Sequence, residues 1–521
     1  MSDTATVAKS YDQYESKLEL RVVVLCTMLS ALMQGIDSTI ANVALPFMQG
    51  SLAASRDQVT WVLTSYIVSA AIMTAPVGWI ASRFGRKNLA LVSIAGFTLA
   101  SMLCGAAQTL DQMILFRMLQ GAFGAALSPL SQSIMLDLYP LEKRGQMMAI
   151  WAMGAMVGPI VGPTLGGYLT ENYNWRWVFY VNLPFGIAAF TGMWIFFRET
   201  RRDDSLKFDW FGFGLLATGI GALQLLLDRG SDKDWLNSSE IIIEMIVAGL
   251  GIYLFTVHLL LSKGTFIPKE IFKNRSFMTS LMLTFLLGLV LFASTALLPT
   301  YLQNLAGFSA RQTGLLMTPR GIGMVASMLI VGQFSYRIDP RKLMVAGTLL
   351  LLWSLWEMSR WTPSVSAWHL AVTTLLQGIG SGMMFVPMNL ISFSTLPASL
   401  RTSASAFLNL VRNTGSSIGI SITSTYLAVR TQIEHGLLAE HVTTFNRALS
   451  QNGPGMMWNP QITFGVQALD RVVNYNAQVI AYSNVFLFMF LASVPALLVI
   501  FTMKRPSFPT ASAPHEFEVI E

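Results

Sequence analysis

An aspartate, Asp37, lies inside a long apolar stretch of a chain with few charges, and an arginine, Arg117, lies inside another. Deep in hydrocarbon an ionised side chain costs ~3 kcal/mol by insertion scales, so an acid at that depth is a functional candidate by default. Counted from Arg21, Asp37 is about 15 residues along its helix, roughly 22 Å at 1.5 Å per residue. Arg117 is about six residues into its own helix from the opposite side, roughly 9 Å down. In a core of about 30 Å the two reach similar depth and are placed to pair. Such a pair offers reversible protonation, because burial and the guanidinium act in opposite directions on the proton affinity of the acid. Two readings stand open. Asp37 exchanges a proton in competition with a cationic or bulky substrate, or the two residues form a permanently ionised brace between helices.

Other polar residues in apolar stretches carry weaker signals. Arg320 and Arg412 fall near mid-membrane with no acidic neighbour at the same depth. They either donate to carbonyls of bent helices or bias a cavity toward weakly acidic substrates. Gln34, Asn42, Gln120, Gln377 and Asn409 are cavity candidates, since uncharged polar groups in lipid need partners, and helix-to-helix bonding satisfies them equally. Glu357 has Arg360 one turn away, which predicts a local ion pair. His258 reads as a packing or interfacial residue rather than a proton relay. Cys26 and Cys104 fall near opposite faces and read as small packing residues, with no disulfide. The 29 Met and 32 Phe suit an adaptable apolar cavity, although most must fill lipid-facing surface and ordinary helix contacts. Neither a metal site nor a cofactor is expected.

The elements that must hold these residues follow from composition. The 521 residues are 53% hydrophobic and 12% charged, with a mean hydropathy of +0.53, which no soluble domain with a polar surface shows. Unpaired backbone groups are costly in hydrocarbon, so spanning segments are helices or closed barrels. The runs here lack the period-2 alternation of barrel strands. Fourteen runs are long enough for helices, the first at about 22–46 and the last at about 478–503. The polar segment before Arg21 lacks a signal-peptide pattern, so the first helix is expected to be retained. With both termini in the cytoplasm, most of the 34 Lys and Arg fall in cytoplasmic segments, as the positive-inside rule requires. The net charge of +6 is therefore a topological signal, and nucleic acid is not an expected partner. There is no nucleotide phosphate loop and no His-Glu-x-x-His metal motif, so an ion gradient is the expected energy source and an enzyme is not expected.

The sequence repeats itself. Gly78-Trp-Ile-Ala-Ser82-Arg83-Phe-Gly85-Arg86-Lys87-Asn-Leu89 matches Gly332-Gln-Phe-Ser-Tyr-Arg337-Ile-Asp-Pro-Arg341-Lys342-Leu343, about 254 residues on. Leu119-Gln120-Gly121 with Pro129 returns as Leu376-Gln377-Gly378 with Pro387, and Leu45-Pro46 as Leu298-Pro299. An offset of eight helices implies two six-helix halves separated by an inserted pair. The expected segments are an N-terminal tail 1–21, a first half 22–197, a linker 198–275 with two extra helices, a second half 276–503 with a long external loop 430–477, and a tail 504–521. Parallel repeats of this kind permit rocking about a central site.

Several strings resemble the major facilitator superfamily, specifically its fourteen-helix drug:proton antiporters of the EmrB and QacA type. The most specific is Gly154-Ala-Met-Val-Gly158-Pro159-Ile-Val-Gly162-Pro163-Thr-Leu-Gly166-Gly167, which resembles the antiporter motif. Asp37-Ser-Thr-Ile-Ala-Asn42-Val-Ala-Leu45-Pro46, Arg117-Met-Leu-Gln120-Gly121, Trp175-Arg-Trp177-Val-Phe179-Tyr-Val-Asn182-Leu-Pro184 and Pro319-Arg320-Gly321 also resemble this family. The resemblance implies an all-α membrane protein of the major facilitator fold, exporting small hydrophobic or amphipathic toxic compounds by alternating access. It implies a bacterial inner-membrane location and, from relatives in Gram-negative bacteria, a periplasmic adaptor of the EmrA type with an outer-membrane channel. Repeated glycines with Pro159 and Pro163 imply a tight, bending contact that limits proton leak while the halves rock. The chain departs from the family at Ser82, where the loop motif usually carries an acid. This puts a latch built on that carboxylate in doubt, although Arg83, Gly85, Arg86 and Lys87 still suit a tight basic turn. A facilitator or proton-coupled importer of a small organic solute is the alternative.

Overall fold

The computed structural model describes residues 17–503 apart from 201, 232, 263, 335–337, 395, 443–457 and 459–462. The expected tail 504–521, most of the tail 1–21 and the middle of the repeated string at 332–343 lie outside the described residues. Helices dominate, and no strand occurs among the described residues. The first half comprises α1 (Lys17–Ser51), α2 (Arg56–Thr74), α3 (Val77–Phe84), α4 (Arg86–Ala106), α5 (Leu110–Gly124), α6 (Leu127–Leu138), α7 (Leu141–Asn172) and α8 (Asn182–Phe196). Next come α9 (Trp210–Arg229) and α10 (Ser239–Leu261). The second half comprises α11 (Arg275–Asn304), α12 (Ala310–Phe334), α13 (Pro340–Met358), α14 (Ala367–Ser394), α15 (Ala398–Ala439), α16 (Thr463–Ser493) and α17 (Pro495–Thr502).

The fold is that of the major facilitator type in its internal pairing. In the first half α1 packs on α7, α2 on α5, and α4 on α5; in the second, α11 packs on α15, α12 on α14, and α13 on α14. These are the same pairs shifted by the sequence repeat. Prolines account for the interruptions, because each removes a backbone donor and clashes with the preceding turn. Pro76 separates α2 from α3 with a bend of 56°, and Pro495 opens α17 after α16.

By length and apolarity, 11 helices among the described residues are able to cross a membrane, or 12 with the bent α2–α3 pair, against the fourteen expected. The remaining two runs are helical but more polar. Within its 19 residues α13 carries Arg341, Lys342 and Glu357, and α15 is rich in Ser, Thr and Asn around Arg412. Exposed Leu250, Tyr253, Leu260, Trp194 and Leu498 leave the outer surface apolar, as lipid contact demands.

The expected loop 430–477 requires correction, because α15 continues to Ala439 and α16 begins at Thr463. At 1.5 Å per residue, the 42 residues of α15 run about 63 Å, twice the hydrocarbon thickness. The two extensions meet where His435 bonds Asp470 at 3.0 Å, and α16 is also tied to the end of α11, where the Tyr475 hydroxyl donates to the Leu305 carbonyl at 2.9 Å.

The glycine string of α7 lies along α1. A Cβ on Gly158 would stand 2.6 Å from Gly35 C and Ile36 N, one on Gly166 would stand 3.0 Å from Ile40 O, and one on Gly154 would stand 3.3 Å from Met28 Cβ. Gly162 faces Thr39 and Ile36 in the same row, and Gly167 reaches Val43. Gly35 on α1 returns the contact against Ala155 O and Pro159 Cδ, each at 2.9 Å. Pro163 also lies inside α7 without breaking it. Backbone therefore meets backbone along the helix that carries Asp37. Gly158→Ala is expected to cost about 1–3 kcal/mol through overpacking, lowering the melting temperature in detergent. Gly214→Ala, whose Cβ would enter open space, is the control and is expected to leave it unchanged or raised.

Candidate functional site

Asp37 and Arg117 meet as their depths predict. Arg117 Nη1 donates to Asp37 Oδ2 at 2.8 Å, with both side chains sealed from solvent at 1% and 0% exposure. Gln120, one turn beyond Arg117 on α5, donates from Nε2 to Asp37 Oδ1 at 2.7 Å and accepts from Arg117 Nη1 at 2.7 Å. Arg117 Nε reaches back to the Val62 carbonyl of α2 at 3.0 Å. The guanidinium also lies over the Tyr66 ring, 4.1 Å from its centroid. Asn182 closes the shell from α8, bonding Ser101 Oγ at 3.0 Å and approaching Asp37 Oδ1 at 3.4 Å. Donors from α5 and α8 thus reach the carboxylate on α1, and α2 and α4 hold those donors in place. The cluster can hold a charged carboxylate in a dry interior because its oxygens are met by donors.

A second cluster joins the halves. Asp137, at the end of α6, accepts from Arg86 at the start of α4 and from Arg401 at the start of α15. Arg86 Nη2 also bonds the Ala398 carbonyl at 3.1 Å. From there a polar seam runs inward: Ser133 to Thr402 at 3.1 Å, Gln132 to Asn389 at 2.7 Å and to Ser405, and Ser128 to Asn409 at 3.2 Å. Gly78 faces Ser403, and Gly332 faces Gly145 and Ala149 at the same end. The bundle is closed at this end, which carries the Arg86 turn.

That turn has the expected tight shape. Gly85 has φ 88, a conformation that L side chains rarely adopt, and a Cβ there would strike Glu199. Its polar groups are met by α8 and the segment after it: Arg83 pairs with Asp204 at 3.2 Å, the Lys87 backbone N–H donates to Glu199 at 3.3 Å, and Lys87 Nζ donates to the Trp194 carbonyl of α8 at 2.7 Å. Ser82 itself bonds the Gly78 carbonyl at 3.0 Å. The basic side chains of the turn thus find acids in Asp137 and Asp204, while Glu199 takes the Lys87 backbone N–H and pairs with Arg202.

In the second half Arg320 Nη2 donates to the Leu291 carbonyl at 3.0 Å and to Ser294 Oγ at 3.1 Å. Carbonyl bonding, one of its two readings, is realised. Gln377 donates to the same Ser294 at 3.3 Å. Arg412 bonds Asn409 and lies 5.8 Å from the Phe385 ring centroid. Gln34 accepts from Ser128 N at 3.1 Å, which makes it a helix-to-helix bond, whereas Asn42 is exposed on α1. Glu357 corrects its expected partner. It pairs with His369 at 2.9 Å, because α14 brings the imidazole alongside, while Arg360 turns over Trp356 at 4.8 Å. His258 bridges Asp209 at 2.9 Å and Ser262 at 3.1 Å across the ends of α9 and α10. Cys26 and Cys104 are both free and buried. No group of three metal-binding side chains occurs among the described residues. Gly415-Ser-Ser417-Ile-Gly419 spells a hydrolase nucleophile string, but it sits inside continuous α15 and lacks the strand-to-helix turn such chemistry requires.

Comparison with known proteins agrees with the fold. Residues 27–420 match the family profile of the Major Facilitator Superfamily. The chain is 37% identical over 429 residues to the multidrug export protein EmrB of Haemophilus influenzae, covering 82% of this chain and 84% of that protein. The chain belongs to the Major Facilitator Superfamily. Within it, the chain is an EmrB-like member, and EmrB of Escherichia coli is likewise 37% identical over 431 residues, covering 82% of this chain and 84% of that one. Among solved structures, the human organic anion transporter MFSD10 superposes with a TM-score of 0.58 at 15% identity, covering 91% of this chain and 99% of that one, and so shares the fold.

As a multi-pass membrane protein of this superfamily, the chain holds two features that sequence reading missed. Asp137 and Arg401 sit at helix ends, where charges are ordinary, so only their convergence from residues 264 apart in the chain marks them. Gln132 and Asn389 bond across an offset of 257, the same as that of the internal repeat, which was the available signal. Because Asp137 is the anion shared by two cations, Asp137→Asn is expected to weaken this closure by about 1.5–3 kcal/mol. A cysteine placed by Thr402→Cys, buried in the seam, should then react with an impermeant maleimide at least about tenfold faster.

Proposed function

We propose that this protein is a proton-driven exporter of small hydrophobic or amphipathic toxic compounds, working by alternating access in the bacterial inner membrane. The observation that carries this reading is the sealed Asp37 carboxylate, held by Arg117 and Gln120 on a different helix from its own. Protonation of Asp37 removes the charge that these donors hold, releasing α1 from α5. Substrate binding favours deprotonation in turn, so the two events are linked. The proton gradient supplies the energy, with no cofactor.

The printed name of the EmrB relatives, multidrug export protein, supports export and a broad substrate range. With both termini in the cytoplasm, all fourteen runs cross the membrane, α13 and α15 included, and α9 and α10 form the inserted pair. The Arg86 end then faces the cytoplasm, and closure there corresponds to an outward-facing arrangement. The glycines of α7 with Pro159 and Pro163 limit leak by keeping α1 and α7 in backbone contact. Of the polar side chains named from the sequence, Asn409 and Arg412 line the path between the halves, while Gln34, Gln120, Arg320 and Gln377 bond within or between helices and Asn42 is exposed on α1. The protruding ends of α15 and α16 expose Ile433, Leu437, Phe464 and Val466, a surface suited to an EmrA-like periplasmic adaptor leading to an outer-membrane channel.

A facilitator or proton-coupled importer of a small organic solute is the second reading, since a fold does not give direction. Purified protein in liposomes with a pH-sensitive dye inside, challenged with a proton gradient and a panel of lipophilic compounds, tests both. Export by antiport predicts substrate-dependent proton movement opposite to the substrate, falling to background in well-folded Asp37→Asn. Movement in the same direction as substrate indicates an importer, and substrate flux without protons indicates a facilitator.

A further inference from the structure

The internal repeat places Arg341 and Lys342, at the start of α13, where the first half has Arg86 and Lys87 at the start of α4. The first pair is met by protein: Asp137 takes Arg86, and the Trp194 carbonyl takes Lys87 Nζ. The second pair is not met in this way. At the offset of 257 that separates Gln132 from Asn389, Asp137 corresponds to Ser394, whose hydroxyl donates to the Ile391 carbonyl at 3.0 Å. The second half therefore has the cations of the motif without the acid that neutralises them in the first.

Asp339 is the one acid beside them on α13, and it serves as the helix cap, accepting from the Arg341 backbone N–H at 3.1 Å. Arg341 Nε stands 3.8 Å from that carboxylate, beyond hydrogen-bond reach, and has no hydrogen-bond partner. Lys342 is exposed, and its ammonium has no partner among the described residues. Two cations against one carboxylate leave this corner positive.

These side chains form the mouth of an open groove of about 600 Å³ between α13 and α17. Val345 and Leu349 continue its wall along the face of α13 that carries Lys342, and Ile500 and Phe501 supply the α17 side. Leu349 lies about 10 Å further along the helix than Lys342. The apolar span made by α16 and α17 ends at Thr502, which sets the mouth at the membrane boundary and turns exposed Leu349 and Phe501 toward hydrocarbon. Cations at the boundary with an apolar wall running inward reproduce the polarity of a phospholipid, and the positive mouth favours an anionic one.

We propose that the groove between α13 and α17 is a binding site for an anionic phospholipid, with its phosphate held by Arg341 and Lys342 and an acyl chain lying along Leu349 and Phe501. The lipid supplies to the second half the anion that Asp137 supplies to the first. This site is separate from the Asp37 cluster and does not depend on the direction of transport or on proton coupling.

The test is native mass spectrometry of the full-length protein in detergent, titrated with dioleoyl phosphatidylglycerol or dioleoyl phosphatidylcholine. The first phosphatidylglycerol is expected to bind at least about tenfold more tightly than phosphatidylcholine, the scale of two cations acting on one anionic headgroup. The double variant Arg341→Gln/Lys342→Gln should abolish that preference, whereas Lys273→Gln, an exposed cation outside the groove, should keep it. Leu349→Trp, which fills the apolar wall and leaves both cations, should weaken binding of phosphatidylglycerol, and millimolar inorganic phosphate should not displace the lipid. Unchanged melting temperatures without added lipid report that each variant is folded. Equal retention of the two lipids by the unaltered protein, as when the chain's own residues fill the groove, would overturn the proposal. So would an undiminished preference in the double variant, equal losses in the double variant and in Lys273→Gln, or displacement by phosphate, which would make the site one for a free anion.

Discussion

A single carboxylate sealed in a helical bundle sets the terms for the rest of this molecule. Asp37 is tolerable in a dry interior because Arg117 and Gln120 satisfy it from α5 and Asn182 approaches it from α8. Removing one partner of such a pair costs about 3–5 kcal/mol, much more than an exposed pair contributes. Each helix that supplies a donor is therefore fixed relative to α1 while the acid is charged.

The packing around that carboxylate passes its position onward. α1 has little freedom to tilt alone, because the glycines of α7 bring backbone against backbone along several turns. α7 in turn meets α12 and α14 of the second half. At the far end of α6, Asp137 gathers Arg86 and Arg401 from the two halves. The Asp37 cluster lies inside the first half, whereas the Asp137 cluster lies between the two halves. A coupled transporter requires both kinds of site in mechanical contact, and α6, α7 and the Arg86 turn are the elements that connect them.

Much of this was legible in the residues. Asp37 and Arg117 stood out because charges are rare in apolar runs, and depth counting alone paired them. The repeat implied two equivalent halves, and the glycine spacing of four implied a close helix contact, whose partner, α1, only the fold identifies. Charges at helix ends were less readable, since Asp137, Glu199 and Asp204 look like ordinary loop chemistry until the chain folds them beside the basic turn. Glu357 was misassigned for the opposite reason: a neighbour one turn away in sequence lost to a histidine on an adjacent helix. The segment 430–477 read as a loop because it is polar, but long helices continue into water when a second helix packs beside them, as His435 and Asp470 illustrate.

The central claim is that Asp37 changes protonation state as part of the cycle. Infrared difference spectroscopy of the purified protein, recorded as substrate is added at fixed pH, measures it directly. The account predicts loss of a protonated-carboxyl band on substrate binding, absent from the Asp37→Asn spectrum under the same conditions. A spectrum with no carboxyl change, in protein shown to bind the substrate, would mean that Asp37 remains ionised throughout and serves only to brace α1 against α5.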